Sequence, residues 1–132
     1  MKLESPHLSQ PLKPTPENIA EVIESLPTRK EGDRFAILGE DSQNYVQTLS
    51  TPEGFQLEYQ DGSVAEHYHC TREDLSAAEV IEIFRDYLAG DIFWKRRFQF
   101  ERRHLPTPWF HVGYGVGKFF GGIANLFRTP KV

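Results

Sequence analysis

The sequence predicts an α+β fold: an antiparallel meander of four to five strands with helices on one face, plus a Gly/aromatic-rich C-terminal tail. Three observations support this class. A capped amphipathic segment comes first, several short alternating segments separated by turn residues follow, and a second capped amphipathic segment comes after them. Helices that bracket a run of strands are typical of α+β domains. A chain of 132 residues is long enough for one domain with a modest core.

Composition divides the chain into three parts. Residues 1–14 are rich in proline and polar residues, which predicts a flexible arm. Residues 15–104 are expected to form the α+β domain, and residues 105–132 a basic tail rich in glycine and aromatic residues. No apolar run follows Lys2, so the start of the sequence does not predict a secretory signal. Cys70 is the single cysteine, so no internal disulfide can form, which favours a cytoplasmic location.

The first helix is predicted in the segment "TPENIAEVIESLP". Thr15 can cap its N-terminus, Pro16 suits its first turn, and Pro27 ends it. Its apolar residues recur at helical spacing and predict one buried stripe, formed by Ile19, Val22, Ile23 and Leu26.

Four short strands are predicted next, at residues 34–39, 44–50, 55–60 and 63–70. An Asp-Gly pair after the third strand indicates a two-residue hairpin, which would place Tyr59 opposite Val64. One face of this hairpin would enter the core with Phe55, Leu57, Tyr59, Val64, Tyr68 and Cys70. The opposite face would meet solvent with Gln56, Glu58, Gln60, His67 and His69.

The second helix has the strongest signals in the chain. Ser76 and Glu79 form a capping box, and Gly90 is a natural stop. The apolar stripe between them consists of Ala77, Val80, Ile81, Phe84, Tyr87 and Leu88. After the helix, residues 94–102 alternate again, which predicts a fifth strand or extended segment with Trp94 on its apolar side.

The net charge of −4 conceals an asymmetry along the chain. Residues 1–94 hold 7 Lys/Arg and 18 Asp/Glu, whereas residues 95–132 hold 8 Lys/Arg and one Glu. Such a division predicts that the basic end folds back onto the acidic body, or that the two ends face different partners. An acidic body repels phosphates, which disfavours nucleic acid as a partner.

The segment "EHYHC" holds the best cluster of potential ligands, from Glu66 to Cys70. His67 and His69 would share one strand face, but zinc needs about three or four ligands and Cys70 would lie on the other face. A solvated strand face is therefore favoured over a metal site, and neither metal nor cofactor is predicted. A metal- or thiol-dependent enzyme at this strand is the second alternative function, although the sequence carries no catalytic motif.

The tail has an unusual composition for a polar chain. Between residues 109 and 127 only Lys118 is charged, and Gly113, Gly117 and Gly121 recur at every fourth position. The tail is expected to contact another protein, a second copy or its own domain, and peripheral membrane attachment is the first alternative function. Its predicted apolar contact residues are Trp109, Phe110, Phe119, Phe120, Leu126 and Phe127. The residues predicted to contact an anionic surface are Arg102, Arg103, Lys118, Arg128 and Lys131.

The segment "YVQTLSTPEGFQLEYQDGSVAEHYHC", followed by the capped helix and "WKRRFQF", resembles small uncharacterised bacterial proteins, some of which resemble immunity proteins of polymorphic toxin systems. The resemblance covers roughly residues 34–100 and implies a non-enzymatic α+β protein that blocks a partner toxin. An acidic body would suit a basic nuclease or deaminase as that toxin. The expected contact residues on the body are Glu58, Glu66, His67 and His69.

Overall fold

The computed structural model describes residues 1–103, which fold into one six-stranded antiparallel sheet and two α-helices. Strands that are neighbours in the sheet are also neighbours in sequence, so the sheet is a continuous meander. The strands are β1 (Lys2–Glu4), β2 (Phe35–Asp41), β3 (Asn44–Thr51), β4 (Gly54–Asp61), β5 (His67–Cys70) and β6 (Phe100–Arg102). The helices are α1 (Pro16–Ser25) and α2 (Ala77–Ala89). The predicted α+β class is confirmed, and the predicted strand number is too low.

Both helices begin and end as their sequences predict. Thr15 Oγ1 accepts a hydrogen bond from the backbone N–H of Asn18 at 3.1 Å and caps α1. Ser76 and Glu79 form the capping box of α2, with the Ser76 hydroxyl accepting from Glu79 N at 3.1 Å. Gly90 ends α2 with φ of 80°, a left-handed conformation that glycine adopts without steric cost.

The first strand, β1, lies where the sequence predicts a flexible arm. Leu3 is fully buried and pairs with Leu38 of β2, and its backbone also exchanges two 2.9 Å hydrogen bonds with Leu12. The strand is three residues long and has a single core residue, so no alternation is visible in its sequence. Burial of one leucine and two sets of backbone hydrogen bonds order the segment instead.

The predicted two-residue hairpin after β4 is wrong. Residues Val64–Glu66 form a short 3₁₀ turn, which lengthens the connection and shifts the register. Tyr59 consequently pairs with Tyr68 rather than with Val64. Gly62 still has a positive φ of 89°, so the turn signal is correct in position but not in length.

The segment predicted as a fifth strand is divided between two structures. Phe93–Arg96 form a 3₁₀ helix that buries Trp94, and only Phe100–Arg102 form a strand, β6. A tryptophan that packs from a helical turn satisfies the same apolar spacing as one on a strand. The alternating pattern alone therefore could not separate the two.

The two faces of the sheet have different partners. One face packs against both helices and forms the main hydrophobic core with residues such as Leu38, Val46 and Leu57. The other face has no helix from the described residues on it, and we call it the helix-free face. Strand alternation and register place on it Phe35, Ile37, Tyr45, Gln47, Gln56, Glu58, Gln60 and His67.

Candidate functional site

A buried polar cluster occupies the centre of the helix-free face. Glu58 on β4 is opposite Gln47 on β3, because those positions pair in the sheet register. Glu58 Oε1 accepts hydrogen bonds from His67 Nε2 at 2.7 Å and from Gln47 Nε2 at 3.1 Å. The second carboxylate oxygen, Oε2, accepts from the guanidinium of Arg103. Glu58 is thus held from three directions.

The other side of His67 is also engaged. Its Nδ1 lies 3.1 Å from Gln60 Oε1 and 3.3 Å from the Tyr45 hydroxyl. That hydroxyl donates to Gln60 Oε1 at 3.1 Å. Both ring nitrogens of His67 therefore have partners, and the ring is positioned as part of a network rather than presented to a substrate or metal.

The contacts of Glu58 determine its charge. Burial by itself raises the pKa of this carboxyl, but the hydrogen bond and charge of His67, the charge of Arg103 and the hydrogen bond of Gln47 lower it, and the pKa lies below its usual range. Glu58 is a buried carboxylate whose charge is compensated by hydrogen bonds and a cation. Such an arrangement positions strands and resists the loss of any member.

The solvated face expected for the "EHYHC" strand is wrong at its centre. His67 is fully buried and Glu58 is 2% exposed, and cross-strand hydrogen bonds offset the cost of burying both side chains. His69 is partly buried on the same face, and Glu66 is partly exposed and binds Arg102 at 3.0 Å. The partner-contact role predicted for these residues stays a prediction. Only Glu66 and His69 have exposed surface through which they could contact a partner directly.

The metal and thiol alternatives gain no support from the geometry. Among residues 1–103, no group of three or more His, Cys, Asp or Glu side chains is arranged to hold a metal ion. Cys70 is 3% exposed and belongs to the core on the helix side, while His69 is on the opposite face. Burial raises the pKa of the Cys70 thiol, so the reactive thiolate is disfavoured at neutral pH.

A notch opens between β4 and β5 where their pairing stops. The last paired residues are Glu58 and His69, after which β4 pairs instead with Leu75. A cleft of about 160 Å³ lies beside this break, and its lining includes the side chains of Glu58, His69 and Arg103. His69 Nδ1 is buried there without a hydrogen-bond partner among the described residues. Since the notch borders the polar cluster, it forms part of the same site.

A second candidate site lies at the end of the sheet where β2 turns into β3. Four carboxylates gather there from the last residues of β2 and β4 and from the loop after α2, and we call this surface the acidic end: Glu40, Asp41, Asp61 and Asp91. Three of these carboxylates, all except Asp41, line a cleft of about 210 Å³ whose lining also includes the hydrophobic side chains of Tyr87, Ile92 and Trp94. Ile92 is 67% exposed and Phe93 is 62% exposed beside it. Both residues therefore present large apolar side chains on an otherwise polar surface.

The carboxylates of the acidic end influence their surroundings. Burial raises the pKa of Tyr87, and the charges of Glu40, Asp61 and Asp41 raise it further. Backbone N–H groups of the β2–β3 turn donate hydrogen bonds to Asp41 and lower its pKa, and the N–H of Gln43 has the largest effect. One ammonium group, that of Lys95, binds Asp61 at 2.7 Å. The acidic end therefore keeps a negative surface at neutral pH.

The residues predicted to contact an anionic surface fall into two groups. Arg102 and Arg103 are both used within the domain, where they bind Glu66 and Glu58. Lys118, Arg128 and Lys131 lie outside the described residues, as do the predicted apolar contacts Trp109, Phe110, Phe119, Phe120, Leu126 and Phe127. In the described part of the chain, neither helix combines the length and apolar character needed to cross a bilayer.

Sequence analysis alone would not have found the acidic end. Its carboxylates are distant in sequence, and the exposed apolar pair was assigned to no surface. A weak signal was present, because Ile92 directly follows the Gly90–Asp91 helix stop and is outside the apolar stripe of α2.

Comparison with protein-family models found no matching family, and comparisons with curated proteins and with solved structures found no significant match.

Proposed function

We propose that this protein is a non-enzymatic protein-binding module, similar in role to an immunity protein, and that it binds its partner through the acidic end. The observation that carries the proposal is the exposure of Ile92 in a cleft lined by three carboxylates, with exposed Phe93 next to it in the chain. Apolar side chains ringed by polar groups are typical of the centre of a protein interface. Adjacent exposed apolar side chains rimmed by polar residues are typical of interaction sites.

The charge of this surface indicates the class of partner. A cationic protein with an apolar recess would match both the carboxylates and the two hydrophobic side chains. The resemblance noted in the sequence suggests a basic nuclease or deaminase toxin as a partner of this kind. Charge complementarity would chiefly accelerate association, while Phe93 and Ile92 would slow dissociation.

The polar cluster supports this proposal indirectly. Both nitrogens of His67 are engaged by neighbouring side chains, and the Cys70 thiol is in the core. General base catalysis needs a nitrogen within reach of a substrate proton, and thiol catalysis needs an accessible thiolate. The two side chains best suited to catalysis are therefore committed to structure, which favours binding over an enzymatic role.

Replacing Phe93 with serine is expected to weaken partner binding by about ten-fold or more, since a buried aromatic anchor contributes at least 1.4 kcal/mol at many interfaces. The wild-type protein, immobilised, captures its partner from the native lysate, and the dissociation constant of the purified pair is then measured. An unchanged dissociation constant would show that this side chain lies outside the interface.

A charge-matched pair of variants separates specific contact from general attraction. The double variant Glu40→Gln/Asp61→Asn removes two charges from the acidic end, and Glu17→Gln/Glu21→Gln removes two from the exposed side of α1. The first is expected to lower the association rate more than the second, with a difference that shrinks at high salt. Equal effects of the two pairs would reject the acidic end as the contact surface.

A further inference from the structure

The hydrogen bonds of the polar cluster fix the number of protons on His67. The Arg103 guanidinium and the Gln47 side-chain N–H both donate to Glu58, so Glu58 is the carboxylate acceptor of the cluster. His67 Nε2, 2.7 Å from Glu58 Oε1, therefore carries a proton and donates it. The pKa of Glu58, which lies below its usual range, agrees with this assignment.

The other ring nitrogen of His67 faces two oxygen acceptors. The described groups within hydrogen-bond distance of Nδ1 are Gln60 Oε1 at 3.1 Å and the Tyr45 hydroxyl at 3.3 Å. That hydroxyl has one proton and donates it to Gln60 Oε1, so its oxygen can only accept from the ring. An unprotonated Nδ1 would face the lone pairs of both oxygens with no proton between them, whereas a protonated Nδ1 satisfies them.

The orientation of the Gln60 amide is set at its other end. Gln60 Nε2 lies 3.4 Å from the backbone carbonyl oxygen of Gln43 and 3.1 Å from Gln43 Oε1. A backbone carbonyl can only accept, so the amide NH₂ of Gln60 points to Gln43 and its oxygen points to His67. The same carbonyl accepts from Gly62 N–H at 3.0 Å, and Gln43 N–H donates to Asp41 of the acidic end. Gln60 thus links the buried ring to the β2–β3 turn at the acidic end.

The charges around His67 are consistent with a protonated ring. Strand register and the contacts of Glu58 place these titratable or charged side chains of the described residues on the helix-free face: Lys2, Glu4, Tyr45, Glu58, His67, His69, Glu101 and Arg103. Lys2 and Glu4 belong to the distant edge strand β1. On β4, on β6 and directly after β6, the two carboxylates of Glu58 and Glu101 stand against the one guanidinium of Arg103. A protonated His67 offsets the remaining negative charge, and buried charges are stable only when they are paired.

We infer that His67 is a buried imidazolium and that its Nδ1 proton is a pH-sensitive switch between the polar cluster and the acidic end. When the pH rises, this proton passes to hydroxide in the solvent and Nδ1 becomes an acceptor. The Gln60 amide then turns its NH₂ group toward Nδ1, which places Oε1 against the Gln43 carbonyl and breaks that contact. A turn of the Tyr45 hydroxyl alone would leave Gln60 Oε1 against the unprotonated nitrogen. The inference is independent of the partner proposed above.

NMR of the isotopically labelled full-length protein tests the protonation. Long-range correlation spectra of imidazole rings separate protonated from unprotonated nitrogens by chemical shift, and sequential backbone assignment identifies the ring of His67. We expect both nitrogens of His67 to be of the protonated type at neutral pH. An unprotonated Nδ1 at neutral pH would overturn the inference, and so would a ring that keeps both protons until the protein unfolds.

A pH titration with matched variants tests the link to the acidic end. The carbonyl carbon signal of Gln43 is expected to shift with the same midpoint as the ring of His67. Gln60→Met keeps the volume and removes the amide, so the ring should still titrate while the linked shift at Gln43 disappears. Gln56→Met makes the same change on the same face of β4 and should keep the linked shift.

Two results of this titration would overturn the switch. One is the absence of a linked shift at Gln43 in the wild type, and the other is a linked shift that persists in Gln60→Met. Circular dichroism reports whether each variant is folded. If Gln60→Met does not fold, the wild-type titration decides by itself.

Discussion

Replacing Glu58 with alanine is expected to lower the free energy of unfolding by about 3–5 kcal/mol, as found when one partner of a buried ion pair is removed. The substitution leaves His67 Nε2, Gln47 Nε2 and the Arg103 guanidinium without their shared acceptor. The donors of His67 and Gln47 would then lie in the interior with unmet hydrogen bonds, and the partly exposed Arg103 guanidinium would lose its ion-pair partner. Urea denaturation at neutral pH measures the change.

Glu66→Ala is the matched control for this substitution. Glu66 binds Arg102 at the surface, where loss of an exposed ion pair costs about 1 kcal/mol or less. The lowered pKa of Glu58 also predicts a pH effect that the wild type and Glu66→Ala share and that Glu58→Ala lacks. Its contribution to stability is complete above the ordinary glutamate pKa and is lost as pH falls through the lower pKa of the folded state. A Glu58→Ala variant as stable as the control would contradict the description of the cluster.

Replacing Trp94 with alanine is expected to lower the free energy of unfolding by about 3–5 kcal/mol, the range for large aromatic side chains in cores. Trp94 is 1% exposed and joins three elements of the fold. Its ring packs edge-on against three other aromatic rings. Its ring centroid lies 5.1 Å from that of Tyr59 on β4, 6.0 Å from that of Phe100 on β6 and 6.2 Å from that of Tyr87 on α2. The variant would leave a cavity where helix and sheet meet. Thermal and urea unfolding measure the loss.

The neighbouring residue provides the control. Phe93 is 62% exposed, so Phe93→Ala removes a comparable aromatic ring without opening a cavity. We expect its free energy of unfolding to stay within about 0.5 kcal/mol of wild type, as for most surface substitutions. Similar losses for both variants would mean that the turn Phe93–Arg96 packs differently from this description.

The helices could be predicted from sequence because their signals are local. Thr15 and Ser76 cap, Gly90 stops, and the apolar stripes lie between them. β1 could not be predicted, because its order depends on a distant strand and on Leu3 entering a core formed elsewhere. The β4–β5 register failed for a similar reason, since a 3₁₀ turn is set by tertiary packing rather than by the Asp-Gly signal before it.

The candidate sites were only partly visible in the sequence. Glu58 and His67 were identified together, because strand alternation places both on one face. Their burial was not predicted, since the hydrogen bonds that compensate it come from Gln47 on a neighbouring strand and from Arg103, distant in sequence. The acidic end was missed because strand ends and a loop that are distant in sequence assemble it.

Carboxyl footprinting of the full-length protein tests the central claim most directly, which is that the helix-free face is interior and the acidic end is an external binding surface. A water-soluble carbodiimide with an amine labels accessible carboxylates, and mass spectrometry measures the rate at each residue. Glu40 and Asp61 are expected to label quickly and Glu58 to remain unlabelled while the protein is folded. Labelling of Glu58 as fast as that of Glu40 would contradict the account.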